Sequence, residues 1–312
     1  MSMMQPKKVY RYQRFNAKTV DALCNDLLYF SDPYHFNDPQ DCKPTVESDS
    51  NNEILKQILF KLISKRVKDE VQKSLKASRL KGEKTFKHAI KHGKLAAQRE
   101  LENIRYHATN PEYDGDNELA ESLYLNSEIQ RELLKRNDRG VCCFSSSFKN
   151  PLLWSHYGEQ HYGLCVGYNL DRNPKPELHK VIYGGNRILS TSLIADALLN
   201  ENHSSTKQLD NNVLLRKASP WRYEREWRLF DSRGLHSSPL KMIDITFGLR
   251  CPKSVIHSIT MTLENRESSV NFYQIKETKG SFKLNRRLIE KDEMQTNLPS
   301  TACSGKEMFG SE

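Results

Sequence analysis

Glu224 and Glu226 stand two residues apart in Trp221-Arg222-Tyr223-Glu224-Arg225-Glu226-Trp227-Arg228-Leu229-Phe230. On a β-strand, side chains alternate between faces, so Arg222, Glu224, Glu226 and Arg228 share one face as a compact charged set. On a helix begun at Ser219, with Pro220 in the first position, Arg222–Glu226 and Glu224–Arg228 are ordinary surface pairs four residues apart. The aromatic content favours the strand. Two other groups bear chemistry: Arg11, in Val9–Phe15, and the hydroxyls Ser145-Ser146-Ser147 that end a buried run from Gly140. Cleavage of an N-glycosidic bond passes through an oxocarbenium-like cation. It needs a carboxylate near the sugar, a hydroxyl to position the ribose and a cation for the phosphates. The arginine, the serines and the Glu-x-Glu supply those three, in that order along the chain.

Other dedicated sites lack their motifs. There is no G-x-x-x-x-G-K-[ST], no G-x-G-x-x-G and no G-x-S-x-G, which removes support for P-loops, dinucleotide fingerprints and hydrolase elbows. His156, His161 and Cys165 offer three zinc ligands without a fourth and without C-x-x-C, so no metal site is expected. Ser155 and His156 are neighbours in sequence and do not face each other on a helix. Cys142 or Cys143 with His156 stays open as a nucleophilic pair.

The elements that must position these groups follow from pattern. Val9–Phe15 reads as a first strand, Ala17–Asp26 as a short helix capped by Asn16, and Leu28–Ser31 as a strand. The loop Asp32–Cys42, with two prolines and alternating Asx residues, reads as an ordered turn. From Glu53 to Glu102 apolar residues recur at helical spacing among lysines, and Glu118–Lys135 is a further amphipathic helix. Asn150-Pro151 caps a helix closed by Gly158. Strands are expected at 163–168, 180–183, 243–248 and 258–262, and helix over 191–218 with an interruption near 200–206. Trp154, Trp221 and Trp227 are expected in the core. The whole implies an α+β fold: a twisted, mostly antiparallel sheet, in one piece or split, with a basic helical insertion. Residues 1–290 form the single domain, 50–137 the insertion, and 291–312 a disordered tail.

The net charge is +9, concentrated in Lys56–Lys94, which favours polyanions. Seven cysteines, odd in number and irregularly spaced, argue for a reducing cytoplasm. Neither an apolar span of eighteen residues nor an export signal is present, so no membrane is expected.

Four blocks carry a resemblance: Phe36-Asn37-Asp38-Pro39, Phe144-Ser145-Ser146, Leu153-Trp154-Ser155-His156-Tyr157 and Tyr223-Glu224-Arg225-Glu226-Trp227-Arg228. Together they resemble a widespread bacterial family of unknown function associated with abortive phage-infection proteins of the AbiGi kind. More distantly, the order Arg, Ser-Ser-Ser, Glu-x-Glu is similar to the R-S-E pattern of ADP-ribosyltransferases, although Ser145-Ser146-Ser147 stands where that family has Ser-Thr-Ser. The resemblance implies Glu226 as catalytic carboxylate and Glu224 as activator of the acceptor. It further implies Arg11 on the phosphates of NAD, the substrate, and Ser145 or Ser146 on the nicotinamide ribose. His156 and Tyr157 complete the implied cofactor-binding set. The function so implied is an NAD-dependent ADP-ribosyltransferase or NAD-cleaving enzyme in phage defence, or a toxin, with an antitoxin or defence partner. The alternative is a non-catalytic nucleic-acid-binding component of a defence system, in which Lys56–Lys94 meets nucleic acid or a protein acceptor. An enzyme of this kind gathers Arg11, Ser145 and Glu226 in one cleft.

Overall fold

The computed structural model describes residues 5–110, 115–136 and 139–290, with the single positions 293 and 302. Apart from those two positions, the tail expected over 291–312 lies outside the described residues. From the N-terminus, β1 (Lys8–Gln13), α1 (Ala17–Cys24) and β2 (Leu27–Phe30) lead through a 3₁₀ turn to β3 (Thr45–Glu47). Three helices follow: α2 (Asn52–Ala77), α3 (Glu83–Ala108) and α4 (Asn117–Arg136). Next come β4 (Arg139–Ser145), α5 (Pro151–His156), β5 (Leu164–Asn169), β6 (His179–Lys180), β7 (Ile182–Tyr183) and β8 (Ile188–Ser190). Helices α6 (Thr191–Leu198) and α7 (His203–Leu214) precede β9 (Arg216–Lys217) and a 3₁₀ segment, Ser219–Glu224. The last elements are β10 (Glu226–Ser232), β11 (Gly234–Ser237), β12 (Lys241–Phe247), α8 (Lys253–Leu263), β13 (Asn271–Glu277) and β14 (Leu284–Leu288). The fold is α+β, with a mixed, mostly antiparallel sheet. Among the described residues no helix is long and apolar enough to cross a membrane.

The described parts of Met1–Phe30, Val141–Lys180 and Arg222–Glu312 form one compact unit, and those of Ser31–Gly140 and Val181–Trp221 a second. The first unit holds an eight-stranded sheet in the order β14-β13-β12-β5-β1-β4-β10-β6. Strands β12 and β13 run parallel, with α8 as their crossover. One face carries the larger core, in which Val9, Cys142, Phe144, Val166 and Trp227 pack with Leu23 of α1 and Ile256 and Ile259 of α8. The other face carries Tyr10, Trp154, Cys165, Ile275 and Leu284, flanked by Tyr12 and Phe148. Trp154 and Trp227 are buried, and Trp221 is half-buried.

On that second face Arg286 donates to Asp244 (2.8 and 3.3 Å) and to Thr246 (2.8 Å). Its guanidinium lies 3.9 Å from the Tyr273 ring centroid and 4.2 Å from that of Phe148. Asp244 pairs across β5 with Gly167, where a Cβ would collide with the Asp244 carboxylate. Glycine is required there by close approach, not by a turn.

Two expectations are corrected. Ser258–Thr262 is not a strand but part of α8. Its β-branched run suggests strand by composition, yet the buried residues Ile256, Ile259, Thr260 and Leu263 repeat as one helical face. The stretch 221–230 is not one strand either: it is 3₁₀ to Glu224 and strand from Glu226.

The second unit is mainly helical, with two small parallel pairs, β3–β8 and β7–β9. Asn51 caps α2 by accepting from the Ile54 amide (3.0 Å). A turn at 78–82, in which Arg79 has φ 61° and Gly82 φ 123°, folds the lysine-rich segment back so that α3 packs on α2. Buried Glu132 of α4 holds Arg66 of α2 (2.6 Å) and Lys135 (3.0 Å).

Candidate functional site

Arg225 joins the 3₁₀ segment to β10, and its φ of 49° is left-handed. For a side chain of this kind that conformation costs roughly 1–2 kcal/mol, so the surroundings must hold it. Pro220 is the second residue of the 3₁₀ segment, and large apolar residues alternate after it at Trp227 and Leu229. The helical reading of the stretch therefore applies to one half and the strand reading to the other. Because the backbone turns at Arg225, Glu224 and Glu226 are not one strand step apart.

Three consecutive carbonyls at this junction are gripped from the end of β4 and the start of α5. Asn150 donates its side-chain amide to the Tyr223 carbonyl (2.7 Å). The Ser145 hydroxyl donates to the Glu224 carbonyl (2.6 Å) and accepts from the Ser147 amide (3.1 Å). The Ser146 amide donates to the Arg225 carbonyl (3.2 Å). Ser145 therefore clamps the backbone rather than presenting a hydroxyl to a sugar, and Ser146 is the exposed serine. Asn150 had been legible only as a helix cap. It does both, since its side-chain oxygen also accepts from the Leu152 amide (2.9 Å).

Side chains gather on the same junction. Tyr157, just after α5, donates its hydroxyl to Glu224 Oε1 (2.9 Å), and Glu224 is only 4% exposed. His156 is exposed, with its ring centroid 6.4 Å from Tyr223 and 6.2 Å from Tyr157. Arg222 and Arg225 are exposed at the surface of the junction. Beneath, Glu226 and Arg228 form a bidentate pair (2.8 and 3.2 Å), with Arg228 wholly buried. The charge of Glu226, expected as the catalytic carboxylate, is thus compensated by a neighbour on its own strand face. Glu224 is the carboxylate that the tyrosine orients.

Arg11 is elsewhere. Tyr10 is paired with Ser145 across β1 and β4, so Ser145 shares the face of Tyr10, and Arg11 points to the opposite one. There its guanidinium donates to Cys142 Sγ (3.0 Å) and to the Tyr29 carbonyl (3.2 Å). Burial pushes the Cys142 thiol up, against the lowering effect of Arg11. The expected cleft of Arg11, Ser145 and Glu226 is thus not formed: the sheet separates Arg11 from Ser145, Ser146, His156, Tyr157, Glu224 and Glu226.

Among the described residues no three His, Cys, Asp or Glu side chains are grouped as a metal ion would require. His161 instead stacks on Trp154, centroids 5.7 Å apart and planes 14° apart. It follows Glu159 and Gln160 in a run of three left-handed residues. Burial and then Arg250 lower the His161 imidazole below its ordinary 6.5, while Glu277 opposes them.

Residues 153–229 match the family described as "Protein of unknown function (DUF2971)". The match begins beside Trp154 and ends at Leu229. It contains both the Trp154–Tyr157 and Glu224–Arg228 blocks and leaves out α2 and α3. No curated protein and no solved structure matches the chain.

Proposed function

We propose that the junction at Tyr223–Glu226 is the active site of an NAD-cleaving enzyme of ADP-ribosyltransferase type, acting in phage defence or as a toxin in the cytoplasm. The supporting observation is preorganisation. Glu224, nearly buried, is oriented by Tyr157 on a backbone whose carbonyls at 223, 224 and 225 are all held. A fixed carboxylate is worth most where charge develops out of water.

In the reaction the bond from the ribose C1′ to the nicotinamide nitrogen breaks, and nicotinamide leaves as a neutral base with both bonding electrons. The positive charge left on C1′ and the ring oxygen faces Glu224. Water, or a nucleophile on an acceptor, then adds at C1′ and gives up its proton to that carboxylate, which returns it to solvent. Arg222 and Arg225 take the pyrophosphate role that the sequence pattern gives to Arg11. Glu226 and Arg228 stiffen the strand below.

The test is nicotinamide release from NAD by the purified protein, alone and with cell extract as acceptor source. Wild type is expected to release it, and Glu224→Gln to do so at least 100-fold more slowly, a typical scale for a lost charge-stabilising group. Absence of release by wild type under both conditions, or equal rates for the two proteins, overturns the proposal.

A further inference from the structure

The hairpin of α2 and α3 carries the entire charge surplus of the chain. Residues 52–108 hold 15 Lys and Arg against 6 Asp and Glu, a net of +9, which is the formal net charge of all 312 residues; the remainder balances at 33 against 33. The surplus lies toward the turn. Residues 65–94 hold 11 Lys and Arg against 3 Asp and Glu. The buried residues of α2, Leu55 to Ile63, all precede that stretch. Beyond it α2 contributes only half-buried Val67, Val71 and Leu75, and α3 contributes the small residues Ala89, Gly93 and Ala97. A Cβ at Gly93 would collide with the Ser64 carbonyl, so the helices approach closely along a thin seam. Most of the surface of this arm is left to charge.

Lys84, Lys87, Lys91 and Lys94 are all exposed. Their spacing of three, four and three residues sets them in a row on the face of α3 opposite the small-residue seam. Successive charges rise by about 4.5–6 Å. Acids one turn away stabilise lysines on a helix, and near the start of α2 Lys56 has both Glu53, one turn away, and Glu121 of α4. In the row, Lys87 has Glu83 at 2.8 Å. Lys84, Lys91 and Lys94, together with Lys65, Lys76 and Lys81, take part in no ion pair among the described residues. Repulsion among the lysines of the row that have no ion pair is relieved by an anion of matching shape.

We propose that the arm binds the phosphate backbone of duplex nucleic acid. A straight, stiff row of cations complements a straight, stiff polyanion, and a duplex carries one negative charge per ~1.7 Å of its axis. A membrane surface would call for a continuous apolar face beside the basic one. Among the described residues, the large apolar side chains exposed on the two helices and their turn are Leu80, Phe86, Leu95 and, at the far end of α3, Tyr106, which are too scattered to form such a face. A single strand would call for a series of large stacking rings, and Phe86 is the sole Phe, Tyr or Trp between 65 and 97, the other rings being the paired imidazoles of His88 and His92.

The test is a salt titration of binding to a short DNA duplex, an RNA duplex of equal length and anionic lipid vesicles. It compares the full chain, a variant with Lys84, Lys87, Lys91 and Lys94 changed to Gln, and one with the same four changed to Arg. Wild type is expected to bind both duplexes without sequence preference and to weaken linearly in log salt. With roughly −0.9 per neutralised DNA phosphate, the Gln variant should lose about three to four units of slope, and the Arg variant should retain it. Gln and Lys have similar helix propensity, so far-UV circular dichroism should not change. No binding to either duplex at low salt, equal slopes for wild type and the Gln variant, loss of binding by the Arg variant, or preference for vesicles overturns the proposal. None of the four lysines belongs to the Glu224 junction, so nicotinamide release neither rescues nor sinks the result.

Discussion

Glu226 and Arg228 show how a residue's neighbours decide its role. Arg228 is 0% exposed, and taking the charge from Glu226 leaves a guanidinium in the interior short of its bidentate partner. Removing one member of such a pair typically costs about 3–5 kcal/mol. Glu226→Gln is therefore expected to lower the urea midpoint by a corresponding amount, and an unchanged midpoint would return Glu226 to the catalytic candidates. Tyr157→Phe, by contrast, removes one hydrogen bond to Glu224 and should cost about 1–2 kcal/mol, with a larger proportional loss of any turnover. His161 gives a pH signature. Its imidazole is held below 6.5 by burial and by Arg250, so below that value the unfolded chain binds the proton more readily. Stability should then fall as pH drops from about 6.5, and His161→Gln should flatten the dependence, as thermal melts between neutral and mildly acidic pH would register. The residue types at the junction were legible in the sequence. The face that each one takes was not, because Arg11 and Ser145 are separated by a strand pairing between residues more than a hundred positions apart.

At the scale of elements, the misread stretches share one cause: a local period was interrupted or disguised. The run at 258–262 is β-branched and still helical, since its buried positions follow 3.6 residues per turn. The stretch around Glu224 contains two elements, and nothing in Tyr223-Glu224-Arg225-Glu226 announces a left-handed residue between them, because arginine is not a residue that favours one. Strands β13 and β14 are hard to read from pattern because their charged residues obscure alternation, Arg286 above all, which is half-buried between Asp244, Thr246 and the Tyr273 and Phe148 rings. The junction makes its own prediction. Arg225→Gly relieves the left-handed backbone but adds unfolded-state entropy of about 0.5–1 kcal/mol, so stability should hold or rise by up to about 1 kcal/mol. Arg225→Val should lose more than that amount. If Arg225 meets the pyrophosphate of NAD, the glycine variant should also show a raised KM with a kept fold. A raised KM with a lowered melting temperature would mean that the side chain serves the structure.

At the scale of the whole molecule, composition showed where the charge lies but not how the chain is partitioned. The second unit is assembled from Ser31–Gly140 and Val181–Trp221, two stretches whose association no local pattern announces. The family match spans the junction blocks and stops short of the hairpin, so the two proposals rest on different residues. They should separate by mutation. Glu224→Gln is expected to stop nicotinamide release and to bind duplex with the salt slope of wild type. Conversion of Lys84, Lys87, Lys91 and Lys94 to Gln is expected to do the reverse. A wild-type protein that binds duplex yet never releases nicotinamide would be the non-catalytic component, with the junction a structural clamp. The informative case is the doubly active one. There, if the bound duplex is also the acceptor, transfer of labelled ADP-ribose to it should fall in the Gln variant as salt is raised, at concentrations where hydrolysis of NAD to free ADP-ribose is unchanged. Equal loss of transfer and hydrolysis would show instead that the arm supports the fold of the enzyme and delivers nothing to it.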